Sequence, residues 1–533
     1  MRDEGDRGVT NRRRRLAAGV LITATILALV PLASAPAGLS SAGSSALAAA
    51  KPRPNVVVIM TDDMRRDDLR WMPQTRRLIG RQGATFKHSF SPYPLCCPAR
   101  ASFLNGQYTH NHRVWGNRGP FGFQSFNDRQ TLPVWLRAAG YNTLFLGKYL
   151  NGYGKQPTFN GGWPSYRYVP PGWRDWRASI DGGLPPGHPL QGATYRYYDT
   201  TLSVNGRLQG HDGQYQTHVF GNQSAGMIRR YAQSTKPFFL WTSYVAPHHG
   251  GPREADDPRR IQRVDGRRER IVTPAVTPAV RGRFDDRIRK PAGLPSEKDV
   301  SDKPEFLQRP PISRLERNGM LEAARQRAES LWLVDQQVAR TVNALRAAGE
   351  LRNTLIIFTS DNGYFQGEHR QRQGKSTPYE PALRTPLLIR GPGIPKGVNR
   401  RAPFLSIDFA PTILAAARAS RRGSIDGRSM LGAARNGGGW QRPVLTEVLY
   451  VPKSGNGDPD DWISSAGIRS PGLFYAEHST GDVELYDMRR DPKQNRNVAG
   501  EPAYAARRQR MARILDDMRT CDGAECREPL SSW

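Results

Sequence analysis

The chain has 533 residues, 38% of them hydrophobic, with 53 Gly and 42 Pro, a composition that excludes a compact helical bundle and points to a large core with many ordered loops. Its 78 Lys and Arg against 48 Asp and Glu give a formal net charge of +30, a field that favours anionic partners (nucleic acid, an anionic membrane or a sulfated polymer) without choosing among them. The four cysteines, Cys96 beside Cys97 and Cys521 near Cys526, do not have the spacing of a zinc site.

Residues 1–48 read as an export signal, with Arg12 to Arg15 as the basic region, Leu16 to Leu32 as the apolar region and Ala46-Leu47-Ala48 for cleavage. Cleavage there predicts a secreted or extracytoplasmic protein with no stable membrane span. Arg13-Arg14 also permits a twin-arginine route. In an exported chain, Cys521 and Cys526 are expected to close a short disulfide loop.

Asn55 to Met60 (NVVVIM) and Leu355 to Thr359 (LIIFT) are apolar, β-branched runs, the pattern of buried central strands. They end in Thr61-Asp62-Asp63 and Ser360-Asp361-Asn362-Gly363. Further strands are expected at Thr143 to Leu146, Phe238 to Tyr244 and Pro386 to Ile389, and helices at Leu132 to Ala139 and Met320 to Ala348. Alternating strands and helices predict an α/β fold with a large mainly parallel sheet between helices. Gly250 to Pro311 carries Arg, Pro and Asp without an apolar period and reads as an excursion ordered by packing or a partly mobile loop. Near residue 440 the character changes: Pro443 to Leu449, Gly472 to Glu477 and Val483 to Tyr486 suggest an antiparallel sheet, followed by a helix from Pro502 to Arg519. The expected division is a catalytic domain at 49–440 and a smaller C-terminal α+β domain at 441–533.

Chemistry concentrates at a few points. Asp62, Asp63, Asp361 and Asn362 offer only oxygen ligands at the ends of two apolar strands, which suits a hard cation, calcium or magnesium, better than a softer metal. Pro98 suits the first position of a helix, placing Cys96 and Cys97 at a helix N-terminus where free N–H groups favour an anion or a deprotonated nucleophile; a buried structural thiol pair satisfies the same residues.

The segment Cys96-Cys97-Pro98-Ala99-Arg100 through Leu104 and Gly106 resembles the sulfatase signature C-x-P-[S/A]-R-x-x-x-L-x-G. Gly140-Tyr141-Asn142-Thr143 through Gly147-Lys148-Tyr149-Leu150 is similar to a second motif of that family, and its Gly-Lys-Tyr-Leu-Asn variant, like the double cysteine, resembles the glucosamine-6-sulfatase subgroup. Ala246-Pro247-His248, Gly374-Lys375-Ser376-Thr377-Pro378, Ser406 to Thr412 and Glu484 to Pro492 extend the resemblance from about Asn55 to Asn497. It implies an alkaline-phosphatase-like fold, calcium as the metal, and formylglycine made from Cys96 by a formylglycine-generating enzyme. Cys96, as formylglycine, then joins Asp62, Asp63, Asp361 and Asn362 around the ion. By the same resemblance Arg100 holds the hydrated aldehyde, Lys148 and Lys375 neutralise charge on the sulfate, and His248 protonates the leaving oxygen, with His249, His110 and His112 as weaker candidates. Leu150 falls where many sulfatases carry a histidine, which leaves the proton acceptor unassigned. The implied substrate is a sulfated small molecule or glycan, with no specific nucleic acid. The rival readings are a phosphate or phosphonate monoester hydrolase of the same superfamily and an inactive polyanion-binding protein.

Overall fold

The computed structural model describes residues 53–262, 268–450 and 462–532. The expected export segment, 1–48, lies outside the described residues. Its strands in chain order are β1 (Asn55–Thr61), β2 (Ala84–Phe86), β3 (Ser89–Phe90), β4 (Asn142–Lys148), β5 (Asp175–Ser179), β6 (Asp199–Val204), β7 (Arg207–Asp212), β8 (Phe238–Ser243) and β9 (Ile261–Gln262). Then follow β10 (Arg268–Glu269), β11 (Thr354–Ser360), β12 (Leu387–Arg390), β13 (Val398–Arg400), β14 (Phe404–Leu405), β15 (Val444–Tyr450), β16 (Ile463–Arg469), β17 (Leu473–His478) and β18 (Val483–Asp487).

Ten of these form one sheet in the order β13-β2-β12-β11-β1-β8-β4-β5-β6-β7. Its centre, β11-β1-β8-β4-β5, is parallel, and β12 runs antiparallel to β11. The parallel centre needs cover on both faces because each strand's side chains alternate between them. Val56, Val58 and Met60 of β1 pack on one side with residues of the helices Cys96–Asn105, Leu132–Ala138 and Phe409–Ala417. Val57 and Ile59 pack on the other, against Gln216–Tyr231 and Arg314–Ala347. All five are within 1% of full burial, each stabilising the fold by about 1.5–3 kcal/mol.

The long helix begins at Arg314, six residues before the expected start, because Ser313 accepts from the Glu316 N–H and Glu316 reaches back to the Ser313 N–H, a reciprocal cap that fixes the first turn. The excursion after Gly250 is held by packing: Ile261 and Ile271 sit against Met320, and Phe284 and Ile288 against Ala324 and Ala328. In the C-terminal part, β15-β16-β17-β18 form an antiparallel sheet. The helix Ala505–Thr520 buries Met511, Ile514 and Leu515 in a cluster that also contains Phe90, Tyr379 and Leu405. Cys521 and Cys526 are disulfide-bonded. Among the described residues no helix is long and apolar enough to cross a membrane.

Candidate active site

Parallel register sets the site. Thr61 pairs with Ser360 at the ends of β1 and β11, so Asp62-Asp63 and Asp361-Asn362 emerge side by side at the carboxyl edge, where open α/β sheets gather ligands. Asp63 adopts φ 64°, a left-handed conformation that aspartate tolerates better than branched residues, and its N–H donates to Asp361 Oδ1 at 3.1 Å. β4 lies two strands from β1 and ends at Lys148, whose Nζ reaches Asp62 Oδ2 at 2.5 Å. The turn after β8 carries His248, with Nε2 3.7 Å from Asp63 Oδ2.

The helix Cys96–Asn105 points its start at this cluster. It begins at Cys96 itself, with Leu95 as the N-cap residue, so Pro98 is the third helical residue rather than the first, and Cys96 lies within the helix rather than before it. Proline is accepted there because first-turn N–H groups have no intrahelical acceptor to lose. Asn117 Oδ1 accepts the Cys97 N–H at 3.1 Å from outside the helix. Cys96 Sγ is 2.8 Å from Lys375 Nζ and 3.4 Å from Asp62 Oδ1. Cys97 Sγ faces away, 3.8 Å from the Asn151 carbonyl. Lys375 also pairs with Asp63.

Arg100, one turn further along, is fully buried and acts as a strut: Nε contacts Asp361 Oδ2 at 2.9 Å, and Nη1 donates to the Lys148 carbonyl and Ser243 Oγ at 2.7 Å each. Among the described residues its Nη2 has no partner, and neither does the buried Oδ1 of Asn362. Three carboxylates thus face three permanent cations, and the charges govern protonation. Burial opposes ionisation of Asp63, but the Lys375 charge, with hydrogen bonds from Lys375 and the Asn362 amide, overcomes it and holds the carboxyl well below its ordinary range. Burial would also strip Lys148 and Lys375 of their protons, yet Asp62 for the first and Asp63 for the second keep both ammonium groups charged. Burial holds His248 neutral despite Asp63; its Nδ1 donates to the His249 carbonyl at 2.8 Å, which leaves Nε2 as the bare nitrogen facing Asp63. The Cys96 thiol is pushed up to about 12 by burial and by Asp62, against the two lysines, so the helix start does not yield the thiolate that its dipole alone suggests.

All nine expected site residues therefore come together: Asp62, Asp63, Cys96, Arg100, Lys148, His248, Asp361, Asn362 and Lys375. The weaker histidines divide. His249 stacks on His248 at 4.2 Å, whereas His110 pairs with Glu447 and His112 with Ser102. Leu150 packs in the core. Of three further neighbours, Tyr195 and Arg327 carry no sequence signal, and Asn151 ends the Gly-Lys-Tyr-Leu-Asn segment. The Tyr195 ring lies 5.0 Å from Lys148 Nζ and 4.7 Å from the His248 ring. Asn151 donates to the Tyr195 hydroxyl at 2.6 Å, and Arg327 braces the carbonyls of Asp63 and Pro247. The residues fit a divalent cation: Asp62, Asp63 and Cys96 bring ligand atoms within 4.8 Å of one another, and the unpartnered amide oxygen of Asn362 adds a donor of the oxygen type a hard ion takes.

A buried acidic cluster ringed by fixed cations, at the carboxyl edge of a mainly parallel sheet, defines the class of protein: an α/β protein whose site is built to hold a cation and an anionic group. A family model described as Sulfatase matches residues 54–419, and one described as N-sulphoglucosamine sulphohydrolase, C-terminal, matches 367–521. The chain belongs to the sulfatase family, whose members hydrolyse sulfate esters. It is 32% identical to an arylsulfatase of Volvox carteri over 527 residues, spanning 90% of this chain and 77% of the relative. It is 30% identical to an N-acetylglucosamine-6-sulfatase of Homo sapiens over 530 residues, spanning 91% and 88%. Among solved structures, one in complex with its substrate D-glucosamine-2-N,6-O-disulfate superposes with a TM-score of 0.67 at 22% identity, covering 89% of this chain and 98% of that one.

Proposed function

We propose that the protein is an exported sulfatase that removes sulfate from a sulfated sugar, using formylglycine made from Cys96 and a divalent cation, calcium by family resemblance. The observation that carries this reading is the placement of Cys96 Sγ between Lys375 Nζ at 2.8 Å and Asp62 Oδ1 at 3.4 Å. A thiol whose pKa is raised to about 12 is a poor nucleophile at neutral pH, which favours a different group at position 96. Asp62, Asp63, Asp361 and Asn362 hold the cation, with the modified residue 96 beside them. When present, the cation and the hydrated aldehyde supply the polarisation of sulfate and the attacking hydroxyl.

The chain's own residues do the rest. Lys148 and Lys375, kept charged by Asp62 and Asp63, form a fixed frame for charge growing on the sulfate oxygens. Arg100 ties the ends of β4, β8 and β11 together and offers its free Nη2 near residue 96. His248 is oriented by its Nδ1 bond and presents Nε2 toward the leaving oxygen; it must take up a proton before donating one. The sugar preference rests on the similarity to the human relative and to the structure bound to a glucosamine disulfate.

The test is sulfate release from a panel of sulfated monosaccharides and an aryl sulfate, using matured enzyme with and without a chelator. Calcium-restorable release from an aminosugar sulfate is expected. Turnover of aryl phosphate in preference to aryl sulfate, or full activity in a preparation shown metal-free by elemental analysis, would overturn the reading.

A further inference from the structure

Lys375 sits in a loop whose shape needs outside support. The loop runs from the end of β11 to the short helix Glu380–Leu383, and the residues flanking the lysine, Gly374 (φ 112°) and Ser376 (φ 67°), are both left-handed. For serine that conformation is uncommon, and it persists only where the surroundings impose it. On the catalytic side, the Phe365 N–H donates to the Gly374 carbonyl at 2.8 Å and the Ser376 N–H to the Pro94 carbonyl at 3.2 Å. Beyond Ser376 the loop is anchored from a different part of the molecule.

Tyr379 is fully buried, and its hydroxyl donates to Glu484 Oε1 on β18 at 2.8 Å. Burial and the Glu484 charge keep that hydroxyl protonated, so it remains a donor. Glu484 is itself held from two sides: Tyr486 donates to the same oxygen, and His478 Nε2 on β17 lies 2.9 Å from Oε2. The His478 ring is fixed in turn by Ser465 Oγ, 2.7 Å from Nδ1. At the next position, the Glu380 N–H donates to Gln494 Oε1 at 2.8 Å, and the Glu380 carboxylate pairs with Arg469 of β16 at 2.8 Å and with Arg384 at 3.2 Å. Residues from three strands of the C-terminal sheet and the segment after it thus converge on the two residues that end the Lys375 loop. Pro378 lies between Lys375 and Tyr379, and its fixed torsion lets less of a displacement at Tyr379 be absorbed before it reaches the lysine.

We propose that Glu484 is a positioning residue for catalysis: through Tyr379, and with Gln494 and Arg469 acting on Glu380, the C-terminal sheet holds the Lys375 loop so that the ammonium stays against Asp63 and residue 96. The proposal rests on the reading of Lys375 as a sulfate contact and gives the C-terminal sheet a task in that chemistry. A contact that served only to glue the sheet to the core would stabilise the fold without regard to Lys375, and the two cases differ in what happens when the lysine is absent.

The experiment uses the full matured chain, the double variant Tyr379→Phe with Gln494→Ala, and Glu484→Gln, which keeps the shape and removes the charge. Each is made with Lys375 intact and in a Lys375→Ala background, and all are assayed well below their melting temperatures. With Lys375 intact, kcat/KM for an aryl sulfate is expected to fall about tenfold, because a small misplacement of a catalytic group costs rate. In the Lys375→Ala background the same substitutions should cost nothing further, since they act through the lysine. A brief pulse of acetic anhydride, read by peptide mass spectrometry, should label Lys375 about fivefold faster in the variants as the loop opens more often, with Lys148 on β4 unchanged. Equal losses in both backgrounds, or labelling of Lys148 that rises with that of Lys375, would reduce the contact to general stability and overturn the proposal. Unchanged turnover with unchanged labelling would overturn it as well. If Lys375→Ala alone leaves turnover intact, the sulfate role of Lys375 fails separately, and the labelling of Lys375 relative to Lys148 then decides the positioning.

Discussion

Replacing Lys375 with Ala separates two roles that the geometry assigns to one side chain. Its ammonium touches Asp63 and lies 2.8 Å from Cys96 Sγ, within a cluster of three carboxylates and three cations. Removing it leaves one uncompensated negative charge. If Lys375 neutralises charge on the sulfate, kcat/KM falls by about 10²–10³, equivalent to about 2.7–4 kcal/mol of transition-state stabilisation. The same change should strengthen cation binding, because the ammonium and the metal compete for the Asp63 carboxylate; partial loss of that repulsion predicts roughly tenfold tighter calcium binding. Without metal, Asp63 retains the Asn362 amide at 2.7 Å but no charged partner in place of Lys375, so the melting temperature should drop and then recover when calcium is added. Calorimetric calcium titration on the unmatured chain and aryl sulfate kinetics at saturating calcium on the matured enzyme read the two effects separately. Weaker calcium binding together with unaltered turnover would refute the assignment of Lys375 to both ion and sulfate.

The paired cysteines give a second contrast: Cys97→Ser should keep most activity, since its sulfur faces Asn151, whereas Cys96→Ser should stall after one turnover as a sulfate ester visible by intact mass. Multiple turnover by Cys96→Ser would remove the need for an aldehyde. Stability should also depend on Glu329, whose carboxyl is raised to about 8 by burial and by Glu322 and Asp285. Because the folded pKa lies above the unfolded one, the stability tied to its neutral form is complete below about pH 4.5 and is lost as pH rises through 8. Glu329→Gln should therefore stabilise the protein by up to about 2–3 kcal/mol at pH 8 and by little at pH 4.5, measured by urea melts. An equal gain at both pH values would rule out the titration of Glu329 as its cause.

Legibility in the sequence followed burial. β1, β4, β8 and β11 stand out as apolar runs because they are covered on both faces. β6 (DTTLSV) and β16 (ISSAGIR) do not, since Thr, Ser and Gly fill positions that only tertiary packing makes strand-like. The start of the long helix was written in Ser313 and Glu316, but the charged turn between Arg314 and Arg317 hides the apolar period. In the site, the acids and lysines sit at strand ends or in motifs and could be read directly. Tyr195 and Arg327 could not, because a tyrosine on a loop and an arginine on a long helix acquire meaning only when β8, β1 and that helix converge.

The parallel pairing of β1 with β11 also sets a timetable. Asp63 leaves the ribosome 298 residues before Asp361 and 312 before Lys375. At synthesis rates of about 5–20 residues per second, the acidic pair waits roughly 15–60 s for those partners. During that interval β1 has no β11 to pair with, and the carboxylates at its end lack the Lys375 ammonium and the Asn362 amide. On the reading proposed above, a divalent ion would have its full binding site only on a chain that has been synthesised past Lys375 and has closed its central sheet, which would make ion retention a chemical record that folding reached its end.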